Sequence, residues 1–187
     1  MPRPPREEEA GAIHHVWARG NRRQAIYLDD DDRHRYLHEL RQVVARFDWR
    51  CLAFCLLGNH LHFIVETPEP TLGKGMQQLH GNYARYFNRR HAASGHTFQG
   101  RYGSKRIRTD AQLLVTTRYV ARNPVDARIC RTPEEWPWGS HALVVGGGER
   151  ATRRVAPPWL RHDRLLELLS GWGGDPATRY AEVVEAS

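Results

Sequence analysis

The chain has 187 residues, 40% of them apolar, and 28 Lys and Arg against 21 Asp and Glu give a net charge of +7. At roughly 100–200 residues per domain this predicts one folded domain with room for a small addition, and the apolar fraction argues against wholesale disorder. No run reaches the ~18 apolar residues of a membrane span, the opening residues carry no apolar signal segment, and three cysteines without a Cys-x-x-Cys pair suit a reducing cytoplasm.

Residues 1–11, Pro-rich and then Glu-rich, read as a loose tail. Residues 13–17 predict a first strand closed by the turn pair Gly20-Asn21. The acidic run 29–32 supplies a cap and favourable charge to a helix over 31–48, whose apolar stripe is Tyr36, Leu37, Leu40, Val43, Val44 and Phe47. A metal site in that run is the weaker reading. Two strands over about 50–57 and 60–66, joined by Gly58-Asn59, predict an antiparallel hairpin. A second helix follows over 71–91 with Leu72, Met76, Leu79, Tyr83, Tyr86 and Phe87 on one stripe, then a strand over 98–107. A third helix starts near Asp110 and is expected to end by Asn123, because Pro124 disfavours helix at the residue before it.

The order βαββαβ plus a helix predicts an α+β fold: a ferredoxin-like antiparallel sheet with two helices on one face. Trp136-Pro137-Trp138 marks the edge of this unit near residue 145. Residues 146–158 read as a linker, and 159–187 as a small helical C-terminal appendage with segments over 159–169 and 176–184.

His60 and His62 lie two apart on the second hairpin strand and share a face, while Leu61, Phe63 and Val65 take the other face toward the helices. Two imidazoles on one side can share a metal ion. On the third helix Leu113, Leu114, Thr117, Val120 and Ala121 form the apolar side, and Tyr119 and Asn123 stand one turn apart, roughly opposite it. Between Glu69 and Asp110 there is no acidic residue, yet this stretch holds Lys74, Arg85, Arg89, Arg90, Arg101, Lys105, Arg106 and Arg108. Arg118 and Arg122 flank Tyr119. Such asymmetry suits a polyanion, nucleic acid first; decoration of a solvated face is the plainer alternative. Together the parts describe phosphodiester chemistry, with a metal polarising a phosphate, a tyrosine attacking it, and aromatics such as Tyr86 and Tyr102 available to stack on bases.

Five ordered segments carry a resemblance: Gly20-Asn21-Arg22-Arg23, the run from Gly58 to Glu66, Tyr83 to Asn88, Phe98 to Tyr102, and Arg118 to Pro124. Over about residues 12–145 the chain resembles the IS200-like single-tyrosine (Y1) transposases, in particular the branch of REP-associated tyrosine transposases. The resemblance implies the HUH endonuclease fold, with His60 and His62 as metal ligands, Asn123 completing the site and Tyr119 as nucleophile. It further implies Mg²⁺ or Mn²⁺ as cofactor, although imidazoles alone favour Zn or Mn over Mg. The expected reaction is cleavage and rejoining of single-stranded or hairpin DNA through a 5′-phosphotyrosine, by a monomer or homodimer. Gly58 departs from the Asp that many relatives carry there. Two other readings are weighed beside this one. The first is a non-catalytic nucleic-acid-binding regulator on the same fold, which the intact set His60, His62, Tyr119 and Asn123 argues against. The second is a zinc domain using Cys51, Cys55, His60 and His62, whose cysteines share a face of their strand but, four apart, lie ~13 Å from each other, too far for one zinc to take both readily.

Overall fold

The computed structural model describes residues 8–145, 156–170 and 175–185, so residues 1–7 of the expected tail and most of the expected linker lie outside the described residues. Strands β1 (Ala12–Arg19), β2 (Arg50–Leu56), β3 (His60–Thr67) and β4 (Gly103–Ile107) form one antiparallel sheet in the order β2-β3-β1-β4. Helices α1 (Asp30–Phe47) and α2 (Leu72–Arg90) make the crossovers, which gives the ferredoxin-like arrangement that the element order predicts. The β2–β3 hairpin turns at Gly58-Asn59, where Leu57 N–H donates to the His60 carbonyl at 2.9 Å.

Helix α1 starts where its sequence can satisfy loose amide groups. Asp29 accepts the Asp32 N–H at 3.1 Å, and three aspartates fill the first turn, where the helix dipole favours negative charge. The run is a cap: Asp32, fully buried, accepts the Leu28 N–H at 2.8 Å and meets Arg90 at 2.7 Å and His91 at 2.9 Å at the end of α2. Tyr36, Leu40 and Val43 of α1 and Met76, Leu79 and Tyr83 of α2 pack on Val16, Leu61, Phe63 and Val65 of the sheet. Full burial of such side chains is worth about 1.5–3 kcal/mol each.

The other face carries a second apolar layer. Leu52, Ala53, Cys55 and Ile64 meet Leu113, Val120 and Ala121 of α3 (Asp110–Asp126), together with Leu165 and Leu169 of α5 (His162–Leu169) and Tyr180 and Val184 of α6 (Pro176–Glu185). The C-terminal helices are thus built into this core. A short helix α4 (Ser140–Val145) precedes them. Edge strand β2 is covered along its free side: Leu56 N–H donates to the Trp138 carbonyl at 2.9 Å, and Arg161 N–H to the Cys51 carbonyl at 2.7 Å. No described helix is long and apolar enough to cross a membrane.

Three expectations are corrected. The strand expected over 98–107 begins only at Gly103, because Gly100 takes φ +109°, and Phe98 forms a lone bridge with Gly20 and turns into the α1–α2 core. Helix α3 does not stop at Asn123. It runs through Pro124, which is buried, and the last turn closes with Ala127 N–H on the Asn123 carbonyl at 2.9 Å and Arg128 N–H on the Val125 carbonyl at 2.8 Å. Packing and these end bonds offset the local penalty of an internal proline. Lastly, a bulge between Cys51 and Ala53 shifts the register of β2. Cys51 therefore joins the α1–α2 core and Cys55 the α3 core, on opposite faces, so the two cannot share a zinc ion with His60 and His62.

Candidate active site

Alternation along β3 sends His60 and His62 to the α3 side of the sheet, away from Leu61, Phe63 and Val65. Strand β1 pairs with it antiparallel, placing Trp17 opposite His62 and Arg19 opposite His60. Paired residues share a face, so β1 contributes His15, Trp17 and Arg19 to the same surface. Beyond them β4 contributes Lys105 opposite His15 and Gly103 opposite Trp17.

Helix α3 crosses this surface and brings Tyr119 to the histidines. The Tyr119 ring lies edge-on to His62 at 5.2 Å and to His15 at 5.7 Å between centroids, and it is 45% exposed. One turn later Asn123 donates Nδ2–H to the Tyr119 carbonyl at 3.0 Å, and its side chain lies beside the His60 imidazole. The sequence expects both residues opposite the apolar stripe, yet Asn123 is only 7% exposed. The pair marks the seam between helix and sheet, with Asn123 inside it and Tyr119 at its mouth. His60, His62, Tyr119 and Asn123 are therefore brought together, as expected from the sequence.

The hydrogen bonds behind the imidazoles decide which nitrogens are available. His60 Nδ1 lies 2.7 Å from Asn59 Oδ1, and Asn59 Nδ2–H donates to the Arg23 carbonyl at 3.0 Å, which fixes the amide orientation. An amide oxygen only accepts, so Nδ1 of His60 carries the proton and its Nε2 keeps a lone pair. His62 Nδ1 is likewise engaged, 3.0 Å from His15 Nε2. Burial, reinforced by His15, His60 and Arg19, pushes the His62 pKa down to about 3. Burial and then Lys105 push His15 down to about 4, and burial also lowers His60, only partly offset by the neighbouring Asn123 amide. All three rings are neutral near pH 7, and the neutral ring is the metal-binding form.

His60, His62 and the Asn123 amide oxygen thus offer two nitrogens and one oxygen, all uncharged. This set fits a divalent cation and leaves its charge uncompensated, open to an anionic ligand such as phosphate. Among the described residues no three His, Cys, Asp or Glu side chains form a group able to hold a metal, and His15 Nε2 is taken up by His62 Nδ1 at 3.0 Å.

The basic residues predicted to bind DNA divide over both sides of the sheet. Lys105 is exposed on the histidine face, with Arg118 and Arg122 half-buried on α3; Arg122 donates to the Val184 carbonyl at 3.3 Å. Arg85 and Arg89 are exposed on α2, on the opposite side, and Arg101 lines a cleft of about 600 Å³ between α2 and residues 95–102. Arg108 is exposed just after β4. Arg106 sits on the α1–α2 side beside His14, paired with Glu9, and Arg90 is committed to Asp29, Asp31 and Asp32. The site residues that sequence reading overlooked are His15, Trp17 and Arg19. The signal was present: the ferredoxin-like order seats β1 beside β3, and alternation along 13–19 puts these three on one side.

A comparison with the curated proteins gives no match. Among solved structures the chain is similar to one described as the structure of the REP-associated tyrosine transposase bound to a REP hairpin, at 18% identity and a TM-score of 0.65, covering 85% of this chain and 90% of that one. A second, a putative transposase from Deinococcus radiodurans R1, is 15% identical with a TM-score of 0.43, covering 62% of this chain and 93% of that one. Residues 9–123, which span β1 to the Tyr119–Asn123 turn of α3, match the model of the transposase IS200-like family. With more than half of its length inside that match, the chain belongs to the IS200-like transposase family.

Proposed function

We propose that this transposase cuts and rejoins single-stranded DNA through a covalent bond to Tyr119. The observation that carries the reading is the position of the Tyr119 ring, 5.2 Å from His62 and one turn before Asn123, which lies beside His60. Tyr119 Oη bonds to phosphorus as the bond to the 3′ oxygen breaks; the phenol loses a proton and the departing oxygen gains one. The product is a 5′-phosphotyrosine and a free 3′-OH, and a 3′-OH reverses the step because the phosphodiester energy is conserved in the new bond.

His60, His62 and Asn123 would hold Mg²⁺ or Mn²⁺, which supplies Lewis-acid polarisation of a phosphate oxygen when bound. Their neutrality matters, because a cation held without carboxylates retains its full attraction for phosphate. Lys105, Arg118 and Arg122 add positive charge on this face, while exposed Arg85, Arg89 and Arg101 provide a second basic surface on the α2 side for a hairpin stem. The similar solved transposase is described as bound to a REP hairpin, which supports hairpin DNA as the substrate class. The test is incubation with labelled hairpin oligonucleotides and Mn²⁺ followed by a denaturing protein gel. A slow-migrating DNA–protein adduct is expected with the natural chain and none with Tyr119→Phe; an adduct from Tyr119→Phe overturns the assignment.

A further inference from the structure

Among the described residues, two aromatic side chains stand exposed: Tyr119 at 45% and Trp17 at 38%. Tyr119 has its role in the reaction proposed above. Trp17 has none, and neither apolar core includes it. Both rings sit on the same face of the sheet and both touch His15, Trp17 at 5.1 Å and Tyr119 at 5.7 Å between centroids. An unburied indole on a central strand, one imidazole away from a nucleophile, calls for a ligand with an aromatic face.

The surroundings of Trp17 fit one such ligand. Its ring lies over Gly103 of β4, where any Cβ would overlap the indole, so a glycine is required for the ring to rest flat on the strand. On the same face Arg19 follows along β1, exposed and paired opposite His60, and Lys105 stands on β4, exposed and paired opposite His15 beside Trp17. A flat aromatic surface between two cations matches a nucleotide in an unpaired strand, base on the ring and phosphates toward the charges. Duplex DNA hides its base faces and would leave the indole unused.

We propose that Trp17 is a stacking platform for a base of the single strand on this face, with Arg19 and Lys105 holding the adjoining phosphates. The inference rests on the single-stranded DNA reading above, and it is tested by binding without metal or cleavage. A labelled thymidine oligonucleotide of roughly twelve residues is titrated with the full chain in EDTA, beside an oligonucleotide of the same length with every base removed. Trp17→Ala is expected to weaken thymidine binding about ten- to a hundredfold and to leave abasic binding unchanged, while Trp17→Phe stays within a few-fold of the natural chain. Arg19→Ala and Lys105→Ala are expected to weaken both oligonucleotides and to lower the salt dependence by about one ion each. Should Trp17→Ala not fold, Trp17→Leu against Trp17→Phe makes the same comparison. Equal thymidine binding with and without the indole overturns the platform, and so does an equal loss on the abasic strand. If the natural chain binds neither strand, the single-stranded DNA reading falls with it.

Discussion

Asn123 donates its side-chain amide to the carbonyl of Tyr119 at 3.0 Å, so the residue that faces His60 is tied to the backbone of the residue that faces His62. With the amide nitrogen turned to the helix, the amide oxygen is the atom offered to the histidine side. Asn123→Ala removes that oxygen and the tie together. The expected result is a loss of Mn²⁺ affinity of at least about tenfold, with helical content unchanged. Tyr119→Phe should bind Mn²⁺ like the natural chain. Titration calorimetry of the two variants checks this, and equal affinities for Asn123→Ala and the natural chain would remove Asn123 from the metal site.

Asn59 acts one step behind His60. Its oxygen fixes the Nδ1–H tautomer, and the Arg23 carbonyl fixes the amide. Asn59→Ala frees His60 to place its proton on Nε2, the nitrogen a metal needs. Nitrogen-15 spectra of the metal-free protein should show a mixed His60 tautomer in Asn59→Ala and the natural tautomer in Asn59→Asp, which keeps an acceptor. Mn²⁺ affinity should fall about 10–100-fold in the alanine variant, the usual cost of losing such a supporting bond.

The sequence made these two predictions possible only in part. His60, His62, Tyr119 and Asn123 were legible because strand alternation and helical spacing are local. Asn59 was legible as a turn residue and not as a partner of His60, because its role depends on the Arg23 carbonyl from a distant loop. The β2 bulge was invisible: alternation assumes a regular strand, and one extra residue moved Cys51 away from the face of Cys55. Pro124 misled for the opposite reason, since a local preference gave way to burial. Charge misled most. A run of basic residues in sequence became two surfaces on opposite sides of a sheet, with two of its arginines already paired to acids.

Those paired arginines give a test that separates stability from DNA binding. Arg90 bridges Asp29, Asp31 and the buried Asp32, joining the end of α2 to the start of α1, whereas its neighbour Arg89 is exposed. Arg90→Ala is expected to lower the melting temperature. Arg89→Ala should leave melting unchanged and weaken hairpin binding, with a salt slope smaller by about one. Asp32→Ala strips acceptors from the Leu28 N–H, Arg90 and His91 at once, and about 1–3 kcal/mol of stability should go with it. Thermal melting and anisotropy on the three variants decide the matter.

Acid should loosen the fold through histidines outside the candidate site. Burial pushes His80 down to about 3 and, with His141 adding, His162 to about 4; burial and then Arg106 lower His14. In the unfolded chain these groups take up protons near pH 6.5. The folded state resists protonation, so its stability is fully present above pH ~6.5 and is lost as pH falls toward ~4. Melting temperature should therefore decline steadily over that window. His80 stacks on Phe98 at 4.0 Å and bonds the Tyr36 hydroxyl at 3.3 Å. Its replacement in His80→Gln should flatten the profile while lowering stability at neutral pH.

Two glycines of α2 should respond oppositely to the same substitution. Alanine in a helix interior gains about 0.5–1 kcal/mol over glycine from backbone entropy. At Gly81 nothing opposes that gain, because an added Cβ meets only the end of the flexible Arg85 side chain at 3.9 Å. At Gly75 the added Cβ would run into the Trp49 ring, which is buried and held by its Nε1–H on Thr71 Oγ1 at 3.0 Å. Overpacking of that kind costs about 1–3 kcal/mol, which exceeds the propensity gain. Gly81→Ala should raise the melting temperature and Gly75→Ala should lower it, with Gly75→Ala in a Trp49→Leu background recovering part of the loss. A stabilising Gly75→Ala in the natural background would mean that the α1–α2 packing around Trp49 is looser than the buried ring and its hydrogen bond require.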